Sequence, residues 1–214
     1  METPDLAGMR TDYPRDGLTE DEAGDDPIAL FRRWIDDAAA ADLPEPNAMA
    51  LATATTDGRP SVRTVLLKGL DERGPVFYTH YDSRKGHEID TNPRVAATML
   101  WHPMHRQVRI EGRAHRVDPA ESDAYFAGRP RASQLGACAS EQSRAIEDRA
   151  ALEERLAWVA TAAGDDPVRR PDNWGGFRIT VDSVEFWHGR SGRLHDRLLY
   201  VRTDEGWSRT RLQP

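Results

Sequence analysis

Between Ala48 and Val117 the chain breaks into five short apolar or alternating runs, at residues 48–55, 61–68, 76–79, 95–101 and 107–117. The breaks carry turn chemistry: Asp57-Gly58, the stretch from Asp71 to Gly74, and Asn92-Pro93. In a strand successive side chains point to opposite faces, and Gly or Asp-Gly supplies the positive φ that a tight reversal needs. This spacing predicts a meander of antiparallel strands, with a short helix capped by Ser83 and running to Ile89. So many short strands in so few residues close into a small barrel or sandwich.

Helices flank this core in the sequence. Asp26-Pro27 supplies an N-cap and a first-turn proline, and Phe31, Trp34, Ile35 and Ala38 recur at helical spacing, predicting a helix to about Ala41. Asp118-Pro119 with Glu121 starts another, ended by Gly128 and Pro130. A third is predicted over 145–162, with Leu152, Leu156 and Val159 on one face. Residues 129–143, rich in small polar side chains, read as a loop, and 164–171 as a linker. Strands at 174–181, 184–188, 197–201 and 207–212 close the chain. The expectation is a mainly β fold with flanking helices: a mobile N-terminal arm, 1–26, followed by a single domain, 27–214.

The formal net charge of −7 argues against a nucleic-acid binder, which shows a basic stripe. A single cysteine, Cys138, leaves no internal disulfide and suits a reducing compartment, so a cytoplasmic location is expected. No apolar run reaches membrane-spanning length, and neither a membrane nor a metal enters the reading.

Basic and polar clusters punctuate the strands. In 61–68, Arg63 is odd and Lys68 even, so a regular strand aims them at opposite faces, toward two different anions. Ser83-Arg84-Lys85 joins a hydroxyl and two cations to a helix start, a combination that holds phosphate. Tyr125, Arg129 and Ser133 all donate to phosphate oxygens, or cap a helix end. If the stretch from Arg193 is extended, Arg193, His195 and Arg197 share a face that suits a flat anion, since a guanidinium forks onto oxyanions and stacks on rings. No phosphate loop, dinucleotide fingerprint or nucleophile elbow accompanies these anion holders, the pattern expected where a cofactor performs the chemistry.

Read together and in order, these motifs resemble pyridoxamine 5′-phosphate oxidase. The match runs from Arg63–Lys68 through Tyr78-Thr79, Ser83-Arg84-Lys85, Arg106-Gln107-Val108, Arg129-Pro130-Arg131, Ser133-Gln134, Gln142-Ser143, Trp174-Gly175-Gly176-Phe177-Arg178 and Glu185-Phe186-Trp187 to Arg193-Leu194-His195-Asp196-Arg197. The resemblance implies an FMN-binding split β-barrel, a homodimer with FMN at the subunit interface, and oxidation of pyridoxamine or pyridoxine 5′-phosphate by O₂. It implies that Arg63, Arg84, Lys85, Gln142 and Ser143 hold the FMN phosphate and ribityl region. Val65, Leu66, Tyr78, Thr79, Gln107, Trp187 and Arg197 line the rest of the flavin site. Lys68, Tyr125, Arg129 and Ser133 grip the substrate phosphate, and Arg193 and His195 meet the pyridine ring, with Arg197 and His195 as the catalytic pair. Arg10 and Tyr13 resemble lid residues. A related phenazine-pathway flavin oxidase and a non-catalytic FMN or pyridoxal-phosphate binder are the alternatives.

Overall fold

In the computed structural model, which describes residues 5–8, 13 and 16–214, the first strands form a hairpin of β1 (Ala48–Ala54) and β2 (Pro60–Leu66). They pair antiparallel with Ala48 opposite Leu66. Gly58, at φ 86, makes the turn, and the Thr55 hydroxyl bonds the Asp57 carboxylate there. β1 alternates as expected, with Met49, Leu51 and Thr53 buried.

The chain divides into two compact units. One comprises residues 47–97 and 111–181. It holds the hairpin, β3 (Gly69–Asp71), β4 (Gly74–His80), α3 (Arg84–Thr91), the start of β5 (Arg94–Trp101), the end of β6 (Arg106–Arg116) and the first half of β7 (Trp174–His188). It also carries α4 (Pro119–Ala127), α5 (Arg131–Ala139) and α6 (Arg149–Ala163). Strands are hydrogen-bonded in the order β2-β1-β5-β6-β7-β4-β3. Phe77 and Phe177 lie opposite each other on β4 and β7, fully buried and stacked with ring centres 5.7 Å apart. Each such ring contributes about 2–3 kcal/mol by leaving water. Arg178, also buried, ties β3 and α4 to this core through Asp71 (2.7 Å), the Gly74 carbonyl (3.0 Å) and Glu121 (2.9 Å). Glu121 therefore serves Arg178, and Asp118 caps the start of α4 without it by accepting from the Ala120 amide at 2.8 Å.

The other unit comprises the chain up to residue 46, with 98–110 and 182–214. It contains α1 (Glu20–Ala23), α2 (Pro27–Ala40), the remaining parts of β5, β6 and β7, and the hairpin of β8 (Asp196–Thr203) and β9 (Gly206–Arg211). Its core is aromatic: Trp34 meets Phe186 at 5.2 Å and Phe186 meets Tyr200 at 5.7 Å.

Several local readings change. Residues 16–26 are not shapeless, because Thr19 and Glu22 form a capping box for α1 and the Leu18 amide bonds Asp196 at 3.0 Å. The expected loop 129–143 contains α5; its small residues include alanines of high helix propensity, and the Gln134 amide caps α4 by donating to the Phe126 and Ala127 carbonyls. Two predicted strands merge into the fifteen-residue β7, since Asp182 simply faces water while Ser183 keeps its place opposite Val201. α6 begins later than predicted, and none of its side chains is buried.

The extended geometry read from Arg193 fails. Ser191–Arg193 is a 3₁₀ turn with Gly192 at φ 66 and Arg193 at φ 61, so strand alternation starts only at Asp196. Leu194 accordingly projects into water, 72% exposed.

Candidate active site

In the unit containing the β1–β2 hairpin lies a cavity of about 590 Å³. β2 contributes Arg63, Val65 and Leu66, and Lys68 follows just beyond it. Tyr78 and Thr79 come from β4, Arg84 and Lys85 from the first turn of α3, and Tyr125 from α4. Arg129, Gln142 and Ser143 also line it, joined by Trp174. The parity reading of Arg63 and Lys68 is corrected here: both line the same cavity. β2 is an edge strand whose residues of both parities, Arg63 and Val65 with Thr64 and Leu66, line the cavity, and beyond its end the Lys68 amide bonds the Val76 carbonyl at 2.8 Å.

Lys85 is buried with its ammonium held by Thr79 Oγ1 (2.9 Å), Ser83 Oγ (3.2 Å) and Gln142 Oε1 (2.6 Å). Burial, helped by nearby Arg63, pulls its pKa down to about 8. Ser83 caps α3 by accepting from the Gly86 amide at 3.3 Å and donates to the His80 carbonyl at 2.7 Å. Ser143 stands at φ 73, a left-handed conformation that costs a non-glycine residue about 1–2 kcal/mol and sits in the cavity wall.

The opposite wall is a stack of rings. Tyr78 and Tyr125 lie face to face with centroids 3.7 Å apart, and Trp174 is nearly parallel to both. Burial pushes the Tyr78 phenol up to about 12, so it stays a neutral donor. The Arg129 guanidinium sits 4.7 Å over the Trp174 ring, and its buried Nη1 has no hydrogen-bond partner. A buried orphan donor is costly, and an anionic oxygen bound beside it would satisfy it. Cations, hydroxyls and flat rings around one cavity fit a phosphorylated, planar cofactor or substrate.

The C-terminal residues gather in the other unit. Arg197, opposite Trp187 across β7 and β8, donates from Nε to Glu185 at 2.7 Å and from Nη1 to the Gln213 carbonyl at 2.9 Å. Glu185 is buried and also pairs with Arg109 at 2.8 Å. His195 packs against Trp187 (4.7 Å) and Tyr13 (5.4 Å), and Tyr13 also meets His105 (4.7 Å). The Arg190 amide donates to His195 Nδ1 at 3.0 Å, which fixes the tautomer with the proton on Nε2. Burial and Arg193 lower the His195 pKa, favouring this neutral form. Gln107 lies half-buried on β6, Arg193 is exposed, and Ser133 is half-buried on α5, outside the cavity lining. Arg10 falls outside the described residues.

Sequence reading passed over Glu88 and Thr53. Glu88 stands on α3 four residues after Arg84 and accepts from its Nε at 2.9 Å. The i,i+4 spacing of opposite charges was its only sequence signal.

A family profile described as pyridoxamine 5′-phosphate oxidase matches residues 35–163, and one described as the pyridoxine 5′-phosphate oxidase C-terminal dimerisation region matches 174–214. Among curated proteins, the pyridoxine/pyridoxamine 5′-phosphate oxidase of Rubrobacter xylanophilus is 60% identical over 210 residues, 98% of this chain and 97% of the relative. That of Burkholderia cenocepacia is 53% identical over 212 residues, 98% and 99% of the two chains. Among solved structures, PhzG from Burkholderia lata, in complex with tetrahydrophenazine-1-carboxylic acid, superposes with TM-score 0.87 at 36% identity over 94% of this chain and all of that one. A pyridoxamine 5′-phosphate oxidase-related, FMN-binding protein from Nostoc punctiforme shares the fold, with TM-score 0.68 at 23% identity over 86% of this chain and 97% of its own. The mainly β split barrel with flanking helices expected from the sequence is the fold these structures share. With both profiles matched in order and relatives aligned from end to end, this chain belongs to the pyridoxine/pyridoxamine 5′-phosphate oxidase family.

Proposed function

We propose that the chain is a cytoplasmic, homodimeric FMN oxidase that converts pyridoxamine 5′-phosphate and pyridoxine 5′-phosphate into pyridoxal 5′-phosphate. Two electrons pass to O₂ and give H₂O₂; the amine substrate also takes up water and releases ammonia. One observation carries the reading: a single cavity presents two sets of anion donors, Arg63, Arg84 and Lys85 around α3, and Lys68, Tyr125 and Arg129 around α4. Two phosphates need two such sets, one for the cofactor and one for the substrate.

FMN, when bound, supplies the two-electron acceptor that the side chains lack. Arg63, Arg84, Lys85, Gln142 and Ser143 hold its phosphate and ribityl chain, and Val65, Leu66, Tyr78, Thr79, Gln107, Trp187 and Arg197 line its remaining surface. Lys68, Tyr125, Arg129 and Ser133 take the substrate phosphate. Arg193 and His195 orient the pyridine, the His195 Nε2–H serving as a donor, while Glu185 keeps the Arg197 guanidinium aimed. By the resemblance Arg10 and Tyr13 are substrate-binding lid residues, of which Tyr13 packs against His195. Positioning by these groups is the protein's main contribution. The dimer is supported by the match to a dimerisation region, and FMN between subunits is what the family resemblance implies.

A second reading follows from the likeness to PhzG: oxidation of a tricyclic carboxylic acid. Lys68, Tyr125 and Arg129 weigh against it, because a single carboxylate leaves that trio without a phosphate. Purified protein should show flavin absorbance and form pyridoxal 5′-phosphate from pyridoxamine 5′-phosphate in air. Turnover of the tetrahydrophenazine acid alone favours the second reading, flavin without any product favours a binding protein, and absence of flavin overturns the proposal.

A further inference from the structure

One carboxylate sits behind the cations on the α3 side of the cavity. Glu88 is buried on α3, and its Oε2 accepts from the Thr53 hydroxyl, from Ser61 Oγ at 2.6 Å and from Arg63 Nη2 at 3.3 Å. Its Oε1 takes Arg84 Nε at 2.9 Å. Arg63 is held on its other side as well, Nη1 donating to Thr53 Oγ1 at 2.6 Å and to the Leu51 carbonyl at 3.2 Å. Burial alone raises a carboxyl pKa, yet the donors from Ser61, Thr53 and Arg84 outweigh it and bring Glu88 to about 2. The group is therefore a permanent anion at neutral pH.

We propose that Glu88 is a positioning residue for the cofactor phosphate: it pins Arg63 and Arg84 to the cavity wall and thereby sets the preference for a phosphorylated over an unphosphorylated flavin. This rests on reading the cavity as the FMN site. Two physical effects act together. The first is orientation, because a guanidinium fixed in plane and direction binds an oxyanion without first losing rotamer freedom. The second is charge. Arg63, Arg84 and Lys85 carry three positive charges close together, and Glu88 offsets one of them and so lowers their mutual repulsion. Without the carboxylate between them, Arg63 and Arg84 repel each other and spread. An exposed ion pair has little such effect; this carboxylate has water removed from one side and two arginines on the other.

The test is to titrate flavin-free protein with FMN and with riboflavin, following quenching of flavin fluorescence, in wild type, E88Q and E88D. E88Q keeps the size of the side chain and removes the charge. Its FMN dissociation constant should rise about tenfold or more, while that for riboflavin stays unchanged. E88D, charged but one methylene short of spanning both arginines, should show a smaller fall in the FMN-to-riboflavin ratio, and it carries the test if E88Q folds poorly. An unchanged ratio in both variants, or an equal loss for both flavins, overturns the positioning role. A wild type with no preference for FMN overturns the reading of the cavity itself, so the two failures are distinguishable.

Discussion

In the proposed function Lys68 and Arg129 meet the part of the substrate that does not react, and Arg197 the part that does. Lys68→Met or Arg129→Met should therefore raise KM for pyridoxamine 5′-phosphate by roughly 10- to 100-fold with kcat nearly kept, since binding shared by ground and transition states is lost. Steady-state kinetics with saturating FMN checks this. Arg197→Met should instead lower kcat by about a hundredfold or more with flavin still bound; an unchanged kcat removes Arg197 from the catalytic pair. Lys85 supplies a pH dependence whose sign is opposite for ligand and fold. Its pKa is depressed to about 8 in the ligand-free protein, so FMN affinity should fall as pH rises through about 8 and the ammonium is lost. The unfolded chain holds that proton up to the ordinary lysine range, so between about 8 and 10 this group makes the ligand-free fold more stable as pH rises. Flavin titrations and melting curves at pH 7, 8 and 9 should move in these opposite directions.

At the scale of elements, α3 is the piece on which the proposed phosphate site depends, since its first turns carry Arg84, Lys85 and Glu88. It is seated by Gly86: a Cβ there would run into the carbonyl of Tyr81. Gly86→Ala should cost about 2 kcal/mol or more and weaken FMN binding, because backbone cannot step aside as a side-chain tip can; chemical denaturation with and without FMN measures both. Ser83, the helix start and its basic pair were legible in the sequence because capping is local chemistry. α5 was not, since the contact that favours it, Gln134 on the end of α4, joins side chain to backbone across a turn. The turn at Ser191–Arg193 was misread for a related reason: Gly192 permits a positive φ, but nothing in the alternation of Arg193, Leu194 and His195 announces one.

For the whole molecule, a single chain leaves Trp158 73% and Val62 68% exposed, large apolar side chains for a lone protein to present to water. Sedimentation equilibrium should give twice the chain mass. A monomer that retains full activity would contradict a cofactor shared between subunits. A net charge of −7 suits this solution behaviour and leaves attraction for phosphates to the cations gathered in the cavity.

Much of this protein was legible from residue order alone. Strand runs, turns, caps and the parity of side chains are set by neighbours in the chain, and so the mainly β class and the helices α2, α3 and α4 could be read directly. The tertiary structure decided who shares a site. Arg63 and Lys68 line one cavity although alternation separates them, because β2 is an edge strand and the cavity is lined by its residues of both parities. Tyr78, Tyr125 and Trp174 stack although they lie far apart in sequence. Glu88 acquires Thr53 and Ser61 as partners only when β1, β2 and α3 come together. Periodicity reports which way a side chain points from its own element, whereas convergence depends on where elements end and what they pack against, and those are set by long-range contacts.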